Sequence, residues 1–263
     1  MEVSTAAIAI PKRGNETMGS DDALAASCEG ESLVLRPGEV MRFAVADGAS
    51  GSIYSGYWAA ILARSFVQGD LSGEVSQWPF GRMASEWRHS ATGRLAESHG
   101  DAIPWYLLEK LDASAQAALL GVVLELPADS PSAMWNACAI GDACLARISP
   151  GRPSITFPID NPEAFGNDPP LIPAEDGAGS ILSEAQYDGG VIWPGDSLYL
   201  LTDAVAAWFL RESAASGEPW LQLDEVLDAQ CEAAAKVWAD GERHAGRMKN
   251  DDITVLRLRF GPG

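Results

Sequence analysis

Positive charge is scarce in this chain of 263 residues. Lys and Arg together number 18 against 37 Asp and Glu, a formal net charge of −19. So acidic a protein repels phosphate backbones and anionic leaflets, which argues against nucleic-acid and membrane partners. It still admits phosphorylated ligands if metal cations sit on its carboxylates. Cysteine is sparse as well. Cys28, Cys138, Cys144 and Cys231 match no zinc-binding spacing, and a chain of this length has no need of disulfides, so reduced structural thiols are expected. The three histidines, His89, His99 and His244, share no motif. No stretch approaches the about 18 apolar residues of a membrane span. The longest, Ala115 to Leu126, contains Gln116 and Glu125. Met1 to Ile10 lacks a basic leader and has too short an apolar run for a signal peptide, so a soluble, cytoplasmic protein is expected. Internal repeats and Walker or Rossmann glycine patterns are missing, and Gly48-Ala49-Ser50-Gly51-Ser52 does not fit a nucleophile elbow.

What is present is a globular composition, 47% apolar and 21% charged, enough for a sizeable core. Length and pattern suggest one domain over 1–263. The nine tryptophans are scattered, mostly within amphipathic stretches, and read as core rather than as a carbohydrate platform.

Arg42 to Ala46 reads as a buried strand stopped by Asp47-Gly48. Ile53 to Gln68 has helical spacing with Ser52 as N-cap, and Met83 to Glu97 and Trp105 to Leu120 read as further helices. Met134 to Ile140 and Cys144 to Ile148 read as strands paired across a Gly141-Asp142 turn. Seven prolines between Pro150 and Pro173 confine that stretch to edge elements. Ser197 to Leu201 reads as a strand, Ala204 to Arg211 and Leu223 to Ala239 as helices, and Ile253 to Phe260 as a last strand. This order lacks strict βαβ alternation, so antiparallel sheets flanked by helices fit better than a parallel sheet.

One pattern recurs. Asp47 and Asp203 end strands, Asp142 sits in a turn, and Asp251 and Asp252 open the last strand. In antiparallel sheets, strand ends lie beside the starts of their neighbours, so distant carboxylates can converge. Converging carboxylates repel unless a cation sits between them, and oxygen-only ligands suit Mg²⁺ or Mn²⁺. Aspartate also caps turns and strand ends for purely local reasons. Composition and spacing leave both readings open.

Five segments, taken in order, resemble the metal-dependent Ser/Thr protein phosphatases called PP2C or PPM. Phe43 to Ala60 resembles the family's Asp-Gly-x-Gly-Gly loop and the helix after it. Cys138 to Ile148 resembles its Gly-Asp-Ser-Arg segment, Ser197 to Phe209 its Thr-Asp-Gly, Asn250 to Phe260 its Asp-Asn-x-Thr strand, and Gly19 to Ala26 its Asn-Glu-Asp-Ala. The resemblance implies an α+β fold, a four-layer αββα sandwich of two antiparallel sheets flanked by helices. It implies hydrolysis of phosphoserine or phosphothreonine on a protein substrate by a water bridging two Mn²⁺ or Mg²⁺ ions. Asp47 would bridge both metals, the Gly48 carbonyl would bind the second, and Asp203 and Asp251 would bind the first. Asp22 would act from the outer shell, and Asp142 would serve a third ion.

The chain also departs from the family. Ser50 replaces the first of two adjacent glycines, Ala49 stands where some members have histidine, and Ala204 replaces the glycine of Thr-Asp-Gly. Ala143-Cys144 replaces Ser-Arg. The phosphate-docking arginine would fall at Thr17, so the role passes to Arg13, the nearest arginine, which follows Lys12. These departures motivate an alternative: a pseudo-phosphatase that binds a phosphorylated partner with little turnover. A weaker rival is hydrolysis of a small phosphorylated metabolite.

Overall fold

The computed structural model describes residues 1–14, 20–100, 102–130, 132–150, 154–166, 168–176, 181 and 183–261. Thr17 and Gly19 lie outside them. The first sheet contains β1 (Glu2–Ile10), β3 (Ser32–Val34), β7 (Cys144–Ile148), β8 (Ile155–Phe157), β11 (Ser197–Leu201) and β12 (Ile253–Phe260). Its strand order is β3-β1-β12-β11-β7-β8. The second sheet contains β2 (Asp22–Ala26), β4 (Val40–Gly48), β5 (Gln116–Glu125), β6 (Ala133–Ile140), β9 (Ile172–Pro173) and β10 (Gln186–Ile192). Its order is β10-β6-β5-β4-β2, with β9 paired to β5. Every pairing in both sheets is antiparallel.

Three apolar cores follow from the faces these strands present. Phe43, Val45, Leu120 and Val122 of the second sheet meet Leu145, Leu198, Leu200, Leu256 and Leu258 of the first. On its outer face the second sheet carries α1 (Ser55–Gln68), α2 (Phe80–His99) and α3 (Trp105–Asp112). The first sheet carries α4 (Asp203–Ala214), α5 (Pro219–Asp228) and α6 (Glu232–His244). The result is the four-layer αββα sandwich. α1 lies so close to β5 that a Cβ on Gly121 would meet Phe66 Cε2 at 2.2 Å, which is why a glycine interrupts that strand.

Four sequence expectations need correction. Trp105 to Leu120 is not one helix, because α3 ends at Asp112 and β5 begins at Gln116. β5 is central and covered on both faces, so its unbroken apolar run carries no period that separates strand from helix. Met134–Ile140 and Cys144–Ile148 are strands but not partners: β6 pairs with β5 and β10, β7 with β11 and β8. Gly141 carries the chain from one sheet to the other at φ 101°, where a Cβ would meet Ala118 Cβ at 2.5 Å. Leu223 to Ala239 divides into α5 and α6 around Gln230 at φ 47°. The N-cap of α1 is Tyr54, not Ser52. The tryptophans divide too: Trp58, Trp87, Trp135 and Trp208 are fully buried, whereas Trp105 and Trp193 are exposed. Among the described residues, no helix is long and apolar enough to cross a membrane.

Candidate active site

Antiparallel pairing brings one set of strand ends to the same edge of both sheets. β4 ends there at Asp47-Gly48, and β2 starts there with Asp22 directly opposite Asp47. The β6–β7 crossing places Asp142 there. β11 ends there and hands over to α4, whose first residue is Asp203, and β12 starts just after Asp251-Asp252. A cavity of about 250 Å³ at this edge is lined by Asp47, Asp142, Asp203, Asp251, Ser50 and Lys249, among others.

Asp47 is the most crowded of the carboxylates. Burial first, then Asp22, Asp203, Asp142 and Asp251, hold it well above the usual carboxylate range. The Asp203 N–H, at the positive end of α4, donates to Asp47 Oδ2 at 3.4 Å and offsets part of that cost. Gly48 is glycine for a steric reason: a Cβ would lie 2.6 Å from the Asp21 carbonyl and 2.8 Å from the Ser55 backbone.

Asp22 lies behind this rim. Thr202 Oγ1 donates to its Oδ2 at 2.9 Å and accepts from the Thr254 N–H at 2.9 Å. Thr202 precedes α4 but spends its hydroxyl here rather than on a helix cap. Asp22 Oδ1 is buried and makes no hydrogen bond among the described residues. Burial, opposed by the Thr202 bond and reinforced by Asp252, pushes Asp22 up to about 8. Asp142 is raised to about 6, by burial first and by the charge of Asp203 after it.

Asp251 and Asp252 have different work. Both oxygens of Asp252 are spent on backbone: Lys12 N–H and Asp21 N–H each donate at 2.7 Å. Asp251 turns into the cavity, where Ser50 Oγ donates to it at 3.4 Å and Lys249 Nζ lies 2.9 Å away. Lys249 Nζ also lies 3.2 Å from Asp203 Oδ2. Burial opposes the Lys249 charge, yet Asp203 and Asp251 hold its pKa well above the ordinary lysine value. Lys12 Nζ donates to Ser50 Oγ at 3.1 Å and to Asp21 Oδ2 at 3.4 Å. Arg13 is not a lining residue; its Nε lies 3.8 Å from Asp240 Oδ1 on α6.

The edge therefore gathers Asp22, Asp47, Gly48, Asp142, Asp203 and Asp251, and leaves Arg13 beside it. Sequence reasoning missed Thr202, Ser50 and Lys249. A readable signal existed for Lys249, one of four lysines, placed two residues before Asp251.

The donor set is all oxygen and acidic, with one buried carboxylate oxygen unsatisfied, and this chemistry suits hard divalent cations. Among the described residues, no three His, Cys, Asp or Glu side chains converge on one point that could hold an ion. Lys249 already pairs with two of the carboxylates, Asp203 and Asp251.

No family model matches the chain, and no curated protein matches it. Solved structures do. The photosystem II phosphatase PBCP matches over 98% of this chain and 98% of its own, at 18% identity and a TM-score of 0.51. The S. agalactiae serine/threonine phosphatase matches over 98% and 99%, at 11% identity and a TM-score of 0.53. The chain thus has the fold of serine/threonine phosphatases. This is the PP2C-like sandwich expected from its sequence, in a strongly divergent version.

Proposed function

We propose that the chain is a metal-dependent phosphatase acting on phosphoserine and phosphothreonine of a protein substrate. The observation that carries this reading is the cavity itself. Four aspartates from distant segments line it, a fifth lies buried behind them with one oxygen unbonded among the described residues, and Lys249 is the one basic side chain among its described lining residues. In this reading Asp47, the Gly48 carbonyl, Asp203 and Asp251 would hold two Mn²⁺ or Mg²⁺ ions, Asp22 would act from the outer shell, and Asp142 would serve a third ion. Bound cations would neutralise a phosphate dianion and acidify a water.

The chain supplies the rest. The first turn of α4 fixes Asp203 and turns an N–H toward Asp47. Thr202 holds Asp22 in place. Asp252 ties the segment after β1 to the entry of β2. Docking of the phosphate by Arg13 requires its guanidinium to leave Asp240, an exposed 3.8 Å pair that costs little to break.

A second reading, the pseudo-phosphatase, is favoured by one observation: Lys249 occupies the gap between Asp203 and Asp251. Release of p-nitrophenol from its phosphate ester decides between them. Manganese-dependent turnover that is lost in Asp47→Asn supports the enzyme. Turnover indistinguishable from buffer with millimolar Mn²⁺ supports the binding protein.

A further inference from the structure

Lys249 bridges two carboxylates at 3.2 and 2.9 Å, and the three groups differ in how firmly they are held. The lysine side chain is 60% exposed, whereas Asp203 and Asp251 are 18% and 21% exposed. Asp203 is fixed as the opening residue of α4. Asp251 is fixed by the Asp252 N–H on its Oδ1 at 3.1 Å and by Arg243 Nη2, which donates to its carbonyl at 2.6 Å. The carboxylates are anchored, and the flexible four-carbon stem of the lysine can swing into solvent.

An ammonium between two carboxylates answers the same charge deficit as a divalent cation, with half the charge and no loss of translational freedom. The two cannot share one gap, and like charges repel at such distances. We propose that Lys249 is a tethered cation that closes the Asp203–Asp251 gap, so that a divalent ion must displace it to bind there. This rests on the metal reading above. It assigns Lys249 a role in setting metal affinity: the chain keeps this position weak by carrying its own competitor.

The test is manganese titration by calorimetry on the full chain, comparing wild type with Lys249→Met and Lys249→Arg. The methionine keeps the stem and removes the charge, and at an exposed site it does not threaten folding. Lys249→Met should bind Mn²⁺ at least tenfold more tightly than wild type, while Lys249→Arg should bind about as weakly as wild type. Without metal, Lys249→Met should melt below wild type, because the carboxylates lose their counter-ion. Equal or weaker Mn²⁺ binding by Lys249→Met than by wild type overturns the proposal and leaves the metal reading standing. No Mn²⁺ binding by either protein overturns both.

Discussion

The molecule contains two clusters of aspartates, and they are resolved in opposite ways. On the outer face of the first sheet, Asp224 and Asp228 of α5 meet Arg257 and Arg259 of β12. Arg257 Nη1 donates to Asp224 Oδ1 at 2.7 Å, Arg259 Nη2 lies 3.0 Å from the same oxygen, and Tyr199 donates to it at 2.8 Å. Arg257 also donates to Asp228 and holds that carboxyl below the usual carboxylate range. At the edge of the sheets, Asp22, Asp47 and Asp142 are all raised, with Lys249 as the basic side chain in the cavity wall. A cluster that carries its own counter-charge is a structural clamp. A cluster with one lysine against five carboxylates is only partly compensated, and on the proposed reading a divalent cation supplies the rest.

The sharpest break between the two comes from Asp47→Asn. Manganese-dependent phosphatase activity should fall at least a hundredfold, as about 3 kcal/mol of transition-state stabilisation would require. The metal-free protein should melt about 3–6 °C higher, since removing the crowded charge relieves the cluster. Asp224→Ala should do the reverse. Arg257 is 4% exposed and would keep only Asp228, so about 2 kcal/mol of stability should be lost with activity per folded molecule unchanged. Calorimetric melting and turnover on the same preparations check both.

The neighbours Asp251 and Asp252 repeat the contrast at close range. Asp251→Ala should cost tenfold or more in activity with little change in melting. Asp252→Ala strands the Lys12 and Asp21 N–H groups and should lower stability by about 2 kcal/mol. Equal effects of the two variants on both readouts would contradict the division of labour.

The pH dependence separates the clusters by sign. Asp22, Asp47 and Asp142 have folded pKa values above the ordinary carboxylate value of about 4, so the folded state binds more protons than the unfolded one between there and about 8. Stability of the metal-free protein should therefore fall as pH rises from 5.5 to 8.5, seen as a steady drop in melting temperature. Asp228, whose pKa is lowered, contributes stability that is lost only as pH falls below the ordinary carboxylate value. Saturating Mn²⁺ should reverse the trend at the cavity, because protons compete with the metal for the same oxygens. The smallest effect expected is that of Arg13→Ala, which should raise KM for a phosphopeptide about tenfold, or roughly 1.4 kcal/mol, with metal affinity unchanged. An unchanged KM would remove Arg13 from phosphate docking.

Much of this was legible in the residues. The αββα class followed from the resemblance, the lack of βαβ alternation gave only antiparallel sheets flanked by helices, and β4, β6, β7, β11 and β12 lie where local patterns put them. β5 was not legible, because a strand buried on both faces has no period. The partners of β6 and β7 were not legible either, because Gly141-Asp142 looks the same whether it closes a hairpin or crosses between sheets. The edge strands β2, β3 and β10, and β1 next to β3, carry too few buried residues to announce themselves. At the site, Asp47, Asp142, Asp203 and Asp251 were readable from their places at strand ends and turns, and Asp22 only from the family resemblance. Thr202 was not, and for Lys249 only its place two residues before Asp251 was readable, because the partners of both depend on which strand ends the topology brings together.

On the proposed reading, the partly compensated aspartates at the sheet edge form a divalent-cation site. The most direct test is the melting temperature of the wild-type chain with and without millimolar Mn²⁺, with Asp47→Asn alongside. Binding to the folded state alone should raise the wild-type midpoint by several degrees, as about 2–3 kcal/mol of linkage implies, and leave Asp47→Asn nearly unmoved. A wild-type midpoint that does not change on adding Mn²⁺ would contradict it.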